Sequence, residues 1–233
     1  DCMLSREETM SSRIMQDDID KILPVINGAG SDSAMLDNTL EFLTMNGMDL
    51  PLAMMITVPE AWQKDEIMDR KKRDMYHYYA TMMEPWDGPA AIVFSDGDVV
   101  GALLDRNGLR PSRYYVTKDK TLILASEVGV LDIPPESVVR KSRLQPGKML
   151  LVDTVKGKII EDDELKSAYA ARLPYGEWLD QHLVTLKDLP IPNKKAVTLD
   201  SDYRARLQKA FAYSYEDIKD TILPMARNSA EPT

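Results

Sequence analysis

AAIVFSDGDVVGALLDRNGLRPSRYYVTKDKTLILASE, residues 90–127, decides the fold class. Short apolar runs at 90–94, 99–104, 114–116 and 122–124 are separated by Asp96-Gly97-Asp98, by residues 105–111 and by residues 118–120. Runs of that length, bounded by Asp, Gly and Asn clusters, have the punctuation of packed strands. A glycine in a short turn supplies the positive φ that a tight hairpin needs. The stretch therefore predicts a four-stranded meander. Its middle connection, DRNGLRP, is longer than a hairpin requires and carries Arg106, Asn107, Gly108 and Arg110, which makes it a candidate functional loop.

Upstream of this stretch the pattern is helical. Asn27-Gly28-Ala29-Gly30-Ser31-Asp32-Ser33 is a glycine-containing loop feeding a helix whose buried stripe is Met35, Leu36, Thr39, Leu40 and Leu43. Ser31 or Asp32 is the natural N-cap, and Asn46-Gly47 the stop. Residues 51–56 read as a short methionine-rich helix closed by Pro59. Residues 65–83 read as a long amphipathic helix with Met68, Met75, Tyr79, Met82 and Met83 on one face. Residues 5–23 give one or two helices, opened by a capping box of Ser5 and Glu8 and ended by Pro24.

Downstream, residues 148–153 and 158–160 form a hairpin around Val155-Lys156-Gly157, and residues 161–171 and 175–184 return to helix. Residues 186–199, with Pro190 and Pro192 and no period, read as a linker. Helical spacing resumes over 200–223 with Tyr203, Leu207, Phe211, Ile218 and Ile222. Strands in succession bracketed by helices indicate an α+β fold with antiparallel sheet and helices on its face.

Composition narrows the function classes. The 233 residues are 29% charged and 44% hydrophobic, the balance of a globular protein, and the formal net charge of −9 argues against a nucleic-acid surface. No apolar run approaches the roughly 20 residues that cross a bilayer, and no signal-peptide pattern is present, which favours a cytoplasmic protein. The single cysteine, Cys2, excludes an intrachain disulfide. His77 and His182 stand far apart in the sequence, so no Cys/His metal spacing exists. The start at Asp1-Cys2-Met3-Leu4, without an initiator methionine, suggests a piece of something longer.

Three stretches carry possible chemistry. Asp32 is either only a helix cap or a carboxylate for a ligand ammonium. DRNGLRP is either a wide connection in which Asp105 pairs with Arg106 or Arg110, or a guanidinium clamp on a substrate carboxylate. Cys2, preceded by Asp1, has no α-amino group of its own to act as base and reads as structural. His77, on a helix without a partner ligand, reads as a packing or surface residue rather than a catalyst.

GSDSAMLDNTLEFL, MITVPEAW, MEPWDGPAAIVFSDG, GALLDRNGLRP, YYVTKD, LILASEVGVLD, LQPGKMLLVD and LPYGEWL, in this order, resemble the glutamate synthase large subunit, specifically the back half of its class II glutamine amidotransferase domain. The resemblance implies an N-terminal-nucleophile αββα sandwich, here partial and followed by C-terminal helices. It implies residues 1–185 as the C-terminal half of that domain, 186–199 as a linker and 200–233 as the start of the central domain. In the family the nucleophile is an N-terminal cysteine, and the glutamine-binding Arg and an Asn-Gly oxyanion pair lie in earlier segments. No catalytic residue is thus expected within this chain, and the isolated chain is expected to be inactive. Asp32 matches the family aspartate that holds the α-ammonium of glutamine, whereas DRNGLRP mainly shapes the sheet edge.

The parent enzyme is implied to hydrolyse glutamine and pass the ammonia to 2-oxoglutarate, giving two glutamates. It would use FMN and a 3Fe–4S cluster on other domains, with electrons from an NADPH-dependent small subunit or ferredoxin; no cofactor is expected on this chain. A non-catalytic binding or assembly module on the same scaffold is the alternative. Uncovered sheet face and strand edges would favour a homo-oligomer.

Overall fold

The computed structural model describes residues 12, 14–190, 198–229 and 231. The Ser5–Glu8 capping box, Cys2 and residues 191–197 of the linker lie outside the described residues. Two compact units are formed, one up to Leu183 and one from Val184 onward.

In the first unit α1 (Asp32–Met45) begins where Ser31 takes an extended backbone and its Oγ accepts the N–H of Ala34 at 3.3 Å. Met35, Leu36, Thr39 and Leu40 form its buried stripe. The helix α2 (Leu50–Thr57), LPLAMMIT, has Pro51 in its first turn and is buried along nearly its whole length, as a helix apolar on every face must be. The third helix, α3, runs Arg70–Ala80 rather than 65–83. Asp65 closes a turn on the N–H groups of Ile67 and Met68, and Asp69 then caps the helix afresh on Lys71 and Lys72. Met68 is buried from that preceding turn, while Met82 lies past the helix end and is half exposed.

The predicted meander is corrected by the strand pairing. β1 (Ala91–Ser95) and β2 (Val99–Leu104) belong to a four-stranded antiparallel sheet of order β1-β2-β6-β7, completed by β6 (Met149–Asp153) and β7 (Lys158–Ile160). β3 (Arg113–Thr117) and β4 (Leu122–Ala125) lie in a second sheet of order β4-β3-β5. The long connection after β2 is therefore a passage from one sheet to the other, which is why it exceeds a hairpin. β5 (Val138–Arg143), VVRKSR, was not anticipated: it is an edge strand almost wholly exposed, and its charges hide the alternation while discouraging edge-to-edge pairing.

Alternation along β2 and β6 sorts side chains to two faces. Phe94, Leu103, Met149 and Leu151 join the core built with α1, α2 and α3, together with Leu165 of α4 (Asp162–Ala170) and Tyr175 of α5 (Tyr175–His182). Ala102, Leu104 and Leu150 instead meet Tyr114 and Leu144 between the two sheets. The first unit is thus three layers, helices on a sheet on a sheet, each fully buried Leu contributing about 1.5–3 kcal/mol. Gly101 of β2 stands opposite Phe94, and a Cβ there would lie 2.1 Å from Cζ of the ring, so only glycine lets the ring cover the strand. Tyr78, Tyr79, Tyr175 and Trp178 weld α3 to α5, with ring centroids 5.1 to 5.9 Å apart.

The second unit holds α6 (Ser201–Ala210), capped by Asp200 on the N–H groups of Asp202 and Tyr203, and a π-helical stretch, Asp217–Ile222, that continues into α7 (Leu223–Asn228). None of its described residues is buried, and Phe211 and Tyr215 are 71% and 75% exposed. Among the described residues no helix is long and apolar enough to cross a membrane.

Candidate functional site

The DRNGLRP connection is held by its own first residue. The Asp105 side chain is buried; its Oδ2 accepts the N–H of Ala90 at 3.0 Å, and its Oδ1 accepts those of Asn107 and Gly108 at 2.8 and 3.2 Å. The Asp105 carbonyl also accepts the N–H of Gly147 at 2.9 Å. Asp105 thus pairs with backbone rather than with Arg106 or Arg110. Arg106 instead reaches Asp87 at 3.3 Å, and Arg110 Nε donates to the Pro89 carbonyl at 3.4 Å. Two glycines fix the backbone around it. Gly108 has φ +60° with Pro146 2.7 Å from where its Cβ would be, and Gly147 has φ +65° with the Glu60 Cβ equally close to its own.

Behind that turn lies a charged network that sequence reading missed. Lys166, 2% exposed, donates to the Gly147 carbonyl at 2.8 Å and pairs with Asp162 at 2.8 Å and Glu60 at 3.0 Å. Glu60 also accepts the Tyr76 hydroxyl at 2.9 Å and faces Lys72 at 3.4 Å. Burial, reinforced by Glu60, pushes the Tyr76 phenol well above its ordinary value. Lys148 bridges Asp162 and Asp163; burial pulls its pKa down, but the two carboxylates outweigh that and raise it, while Asp163 is lowered by the same contact. Every full charge here has an opposite partner, which is what makes the burial tolerable. The only sequence signal was i,i+4 spacing of Asp162 and Lys166, which surface helices share.

Residues 27–33 behave differently. Gly30 N–H donates to the Asn27 carbonyl at 2.9 Å, closing a turn that delivers the chain into α1. Ser31, not Asp32, is the N-cap. Asp32 occupies the first helical position, is exposed, and among the described residues makes no ion pair and accepts no hydrogen bond through its carboxylate. Ser31 and Ser33 open onto a broad groove between α1 and β1, which Asp37, Glu41, Asp49, Asp96 and Arg110 also line. Asp49 is engaged by Arg172 at 2.6 Å. Carboxylates outnumber the single guanidinium of Arg110 along this lining, so the groove favours a cationic group over an anionic one. Asp32 itself stands at the helix mouth rather than in the groove wall.

A second cavity, of about 480 Å³, lies between the Pro59–Asp65 segment and the DRNGLRP connection and is lined by Trp62, Trp86 and Arg106. His77 stacks against Trp62, ring centroids 5.6 Å apart, and His182 ends α5. Among the described residues no group of three or more His, Cys, Asp or Glu could hold a metal ion. A 3Fe–4S cluster needs thiolate ligands beyond the one cysteine of this sequence, so the donor set does not fit one.

Residues 1–178 match the family model described as glutamine amidotransferases class-II. The chain is 46% identical over 230 residues to the glutamate synthase [NADPH] large chain of Bacillus subtilis, covering 99% of this chain and 15% of that protein. It is 42% identical over 240 residues to the glutamate synthase [NADH] of Schizosaccharomyces pombe, covering 98% and 11%. To the ferredoxin-dependent glutamate synthase of Oryza sativa subsp. japonica it is 44% identical over 234 residues, covering 99% and 14%. The chain therefore spans between about a tenth and a seventh of the length of these relatives. With its sheet-on-sheet core, helical layer and matched motifs, the chain belongs to the class-II glutamine amidotransferases.

Proposed function

We propose that this chain forms part of the glutamine site of a glutamate synthase, with Asp32 holding the α-ammonium of the substrate. The observation that carries the residue assignment is that the fold makes no use of the Asp32 carboxylate: Ser31 supplies the cap, and no cation of the described residues neutralises the charge. An exposed, unpaired carboxylate beside an acid-lined groove is suited to an ammonium through charge-assisted hydrogen bonds. The helix N-terminus partly offsets its charge, which lowers the cost of leaving the carboxylate without a protein partner. The amide-cleaving step is assigned to no described residue. The whole reaction, transferring the released ammonia to 2-oxoglutarate, rests on the similarity to the glutamate synthases named above. So do residues 1–185 as amidotransferase, 186–199 as linker and 200–233 as the opening of a central domain. FMN, the iron–sulfur cluster and a reductant, whether NADPH through a small subunit or ferredoxin, would act on other domains.

The test compares calorimetric binding of glutamine with that of 4-carbamoylbutanoate, which is glutamine without its α-ammonium. Asp32→Ala should remove the preference for glutamine and leave the weaker binding of the analogue unchanged. A preference that survives the substitution would return Asp32 to a plain first-turn residue. A non-catalytic module gains no support from a specific feature of the fold.

A further inference from the structure

The Asn-Gly pairs Asn27-Gly28, Asn46-Gly47 and Asn107-Gly108 sit in three different hydrogen-bonding environments. Gly47 N–H donates to the Thr44 carbonyl at 2.9 Å, and Asn46 Nδ2 donates to the Phe42 carbonyl at 2.7 Å. Gly108 N–H is shared between the carbonyl and Oδ1 of the buried Asp105, at 3.1 and 3.2 Å. At both places the glycine nitrogen is committed. Asn27 and Gly28 are exposed, and Gly28 N–H has no hydrogen bond among the described residues. Asn27 Oδ1, by contrast, accepts the N–H of Ala29 at 3.1 Å. The flanking backbone is pinned by Asn27 N–H on Asn38 Oδ1 and by Gly30 N–H on the Asn27 carbonyl.

From this difference we infer that Asn27 is a self-modification site, deamidating through a cyclic imide with Gly28. The Gly28 nitrogen gives its proton to solvent base and attacks Asn27 Cγ. A new Cγ–N bond forms, the Cγ–Nδ2 bond breaks, and the leaving nitrogen takes up a proton and departs as ammonia. Water then opens the imide at either carbonyl, leaving an aspartate or an isoaspartate at position 27, with no change of oxidation state. Negative charge accumulates on Oδ1 during the attack, where the Ala29 N–H already donates, so part of the stabilisation is preorganised. At position 28 the attacking nitrogen belongs to a residue with no side chain to obstruct it.

The product alters the entry to α1. A Cβ on Gly30 would lie 3.1 Å from the Asn27 carbonyl oxygen and 3.2 Å from the Ala34 Cβ, and an isoaspartate lengthens the backbone of this close turn by one methylene. An added carboxylate at 27 also joins Asp32 on the same short stretch. The effect on glutamine recognition rests on the Asp32 reading above; the modification itself does not.

The experiment ages the chain in mildly alkaline buffer and maps peptides by mass spectrometry, with isoaspartate labelled enzymatically. Conversion at Asn27 is expected to exceed that at Asn46 and Asn107 by at least about tenfold, equivalent to a barrier difference of about 1.4 kcal/mol. The gap should close in denaturant, and Asn27→Gln should remove the signal from its own peptide alone. Equal rates in the folded protein, or a gap that persists in denaturant, would overturn the structural cause. Binding of glutamine by unaged Asp32→Ala tests the other reading separately, since deamidation is scored by mass.

Discussion

Two loops of this chain each present an aspartate beside a glycine-bearing turn, and the fold treats them in opposite ways. Asp105 is buried, and both its carboxylate oxygens accept backbone N–H groups. Asp32 is exposed and accepts none. The loop richer in arginine is thus the one whose aspartate is consumed by structure, while the carboxylate of the plainer loop stays unpaired among the described residues. Density of polar residues alone does not distinguish a site, because folding can consume the polar capacity of the richer loop.

Breaking the support behind the DRNGLRP connection should have the largest effect. Lys166→Met removes the buried cation between Glu60 and Asp162, leaving them the partly exposed Lys72 and Lys148, while the Gly147 carbonyl loses a donor; the cost approaches that of breaking a buried pair, about 3–5 kcal/mol. Urea denaturation of the variant measures it, and adding Glu60→Gln should recover part of the loss. A drop no larger than that of a surface lysine would mean the network is solvated in solution.

Asp105→Ala comes next. The Ala90 and Asn107 N–H groups lose their acceptor while Gly108 N–H keeps the Asp105 carbonyl, and with partial rescue by water the expected cost is about 2–4 kcal/mol. Hydrogen exchange should rise at Ala90 and Asn107 first, because those amides are the ones released. Protection lost uniformly across both sheets would instead mark Asp105 as part of the global core.

How much of this contrast the sequence shows is itself instructive. The strands on either side of DRNGLRP, the α1 stripe and the β6–β7 hairpin are written in local periodicity and were legible, as was the α+β class. The partition of strands between two sheets was not, because a connection that closes a hairpin and one that changes sheet have the same composition. β5 was hidden by Arg140, Lys141 and Arg143, which an edge strand tolerates. The length of α3 failed because Asp65 and Asp69 interrupt an apolar period that continues through them. At the candidate site, Asp32 is singled out by the GSDS motif alone. That Ser31 rather than Asp32 caps the helix depends on a backbone angle, and the burial of Lys166 depends on residues far away in sequence.

The smallest expected effect on stability discriminates best between the two loops. Ser31→Ala removes the side chain that accepts the Ala34 N–H and should cost about 1 kcal/mol, the usual worth of a cap. Asp32→Ala, one residue on, should change stability by no more than about 0.5 kcal/mol, since no hydrogen bond or ion pair of the fold is lost. On binding the order should reverse. Loss of a charge-assisted contact to the ammonium should weaken glutamine by about tenfold or more, while Ser31→Ala should act only through the small disturbance of the turn. Thermal unfolding and calorimetric binding on the same two variants read both scales. If Asp32→Ala proved the more destabilising of the pair, the carboxylate would belong with Asp105 among the groups that folding consumes, and the free-charge argument for α1 would fail with it.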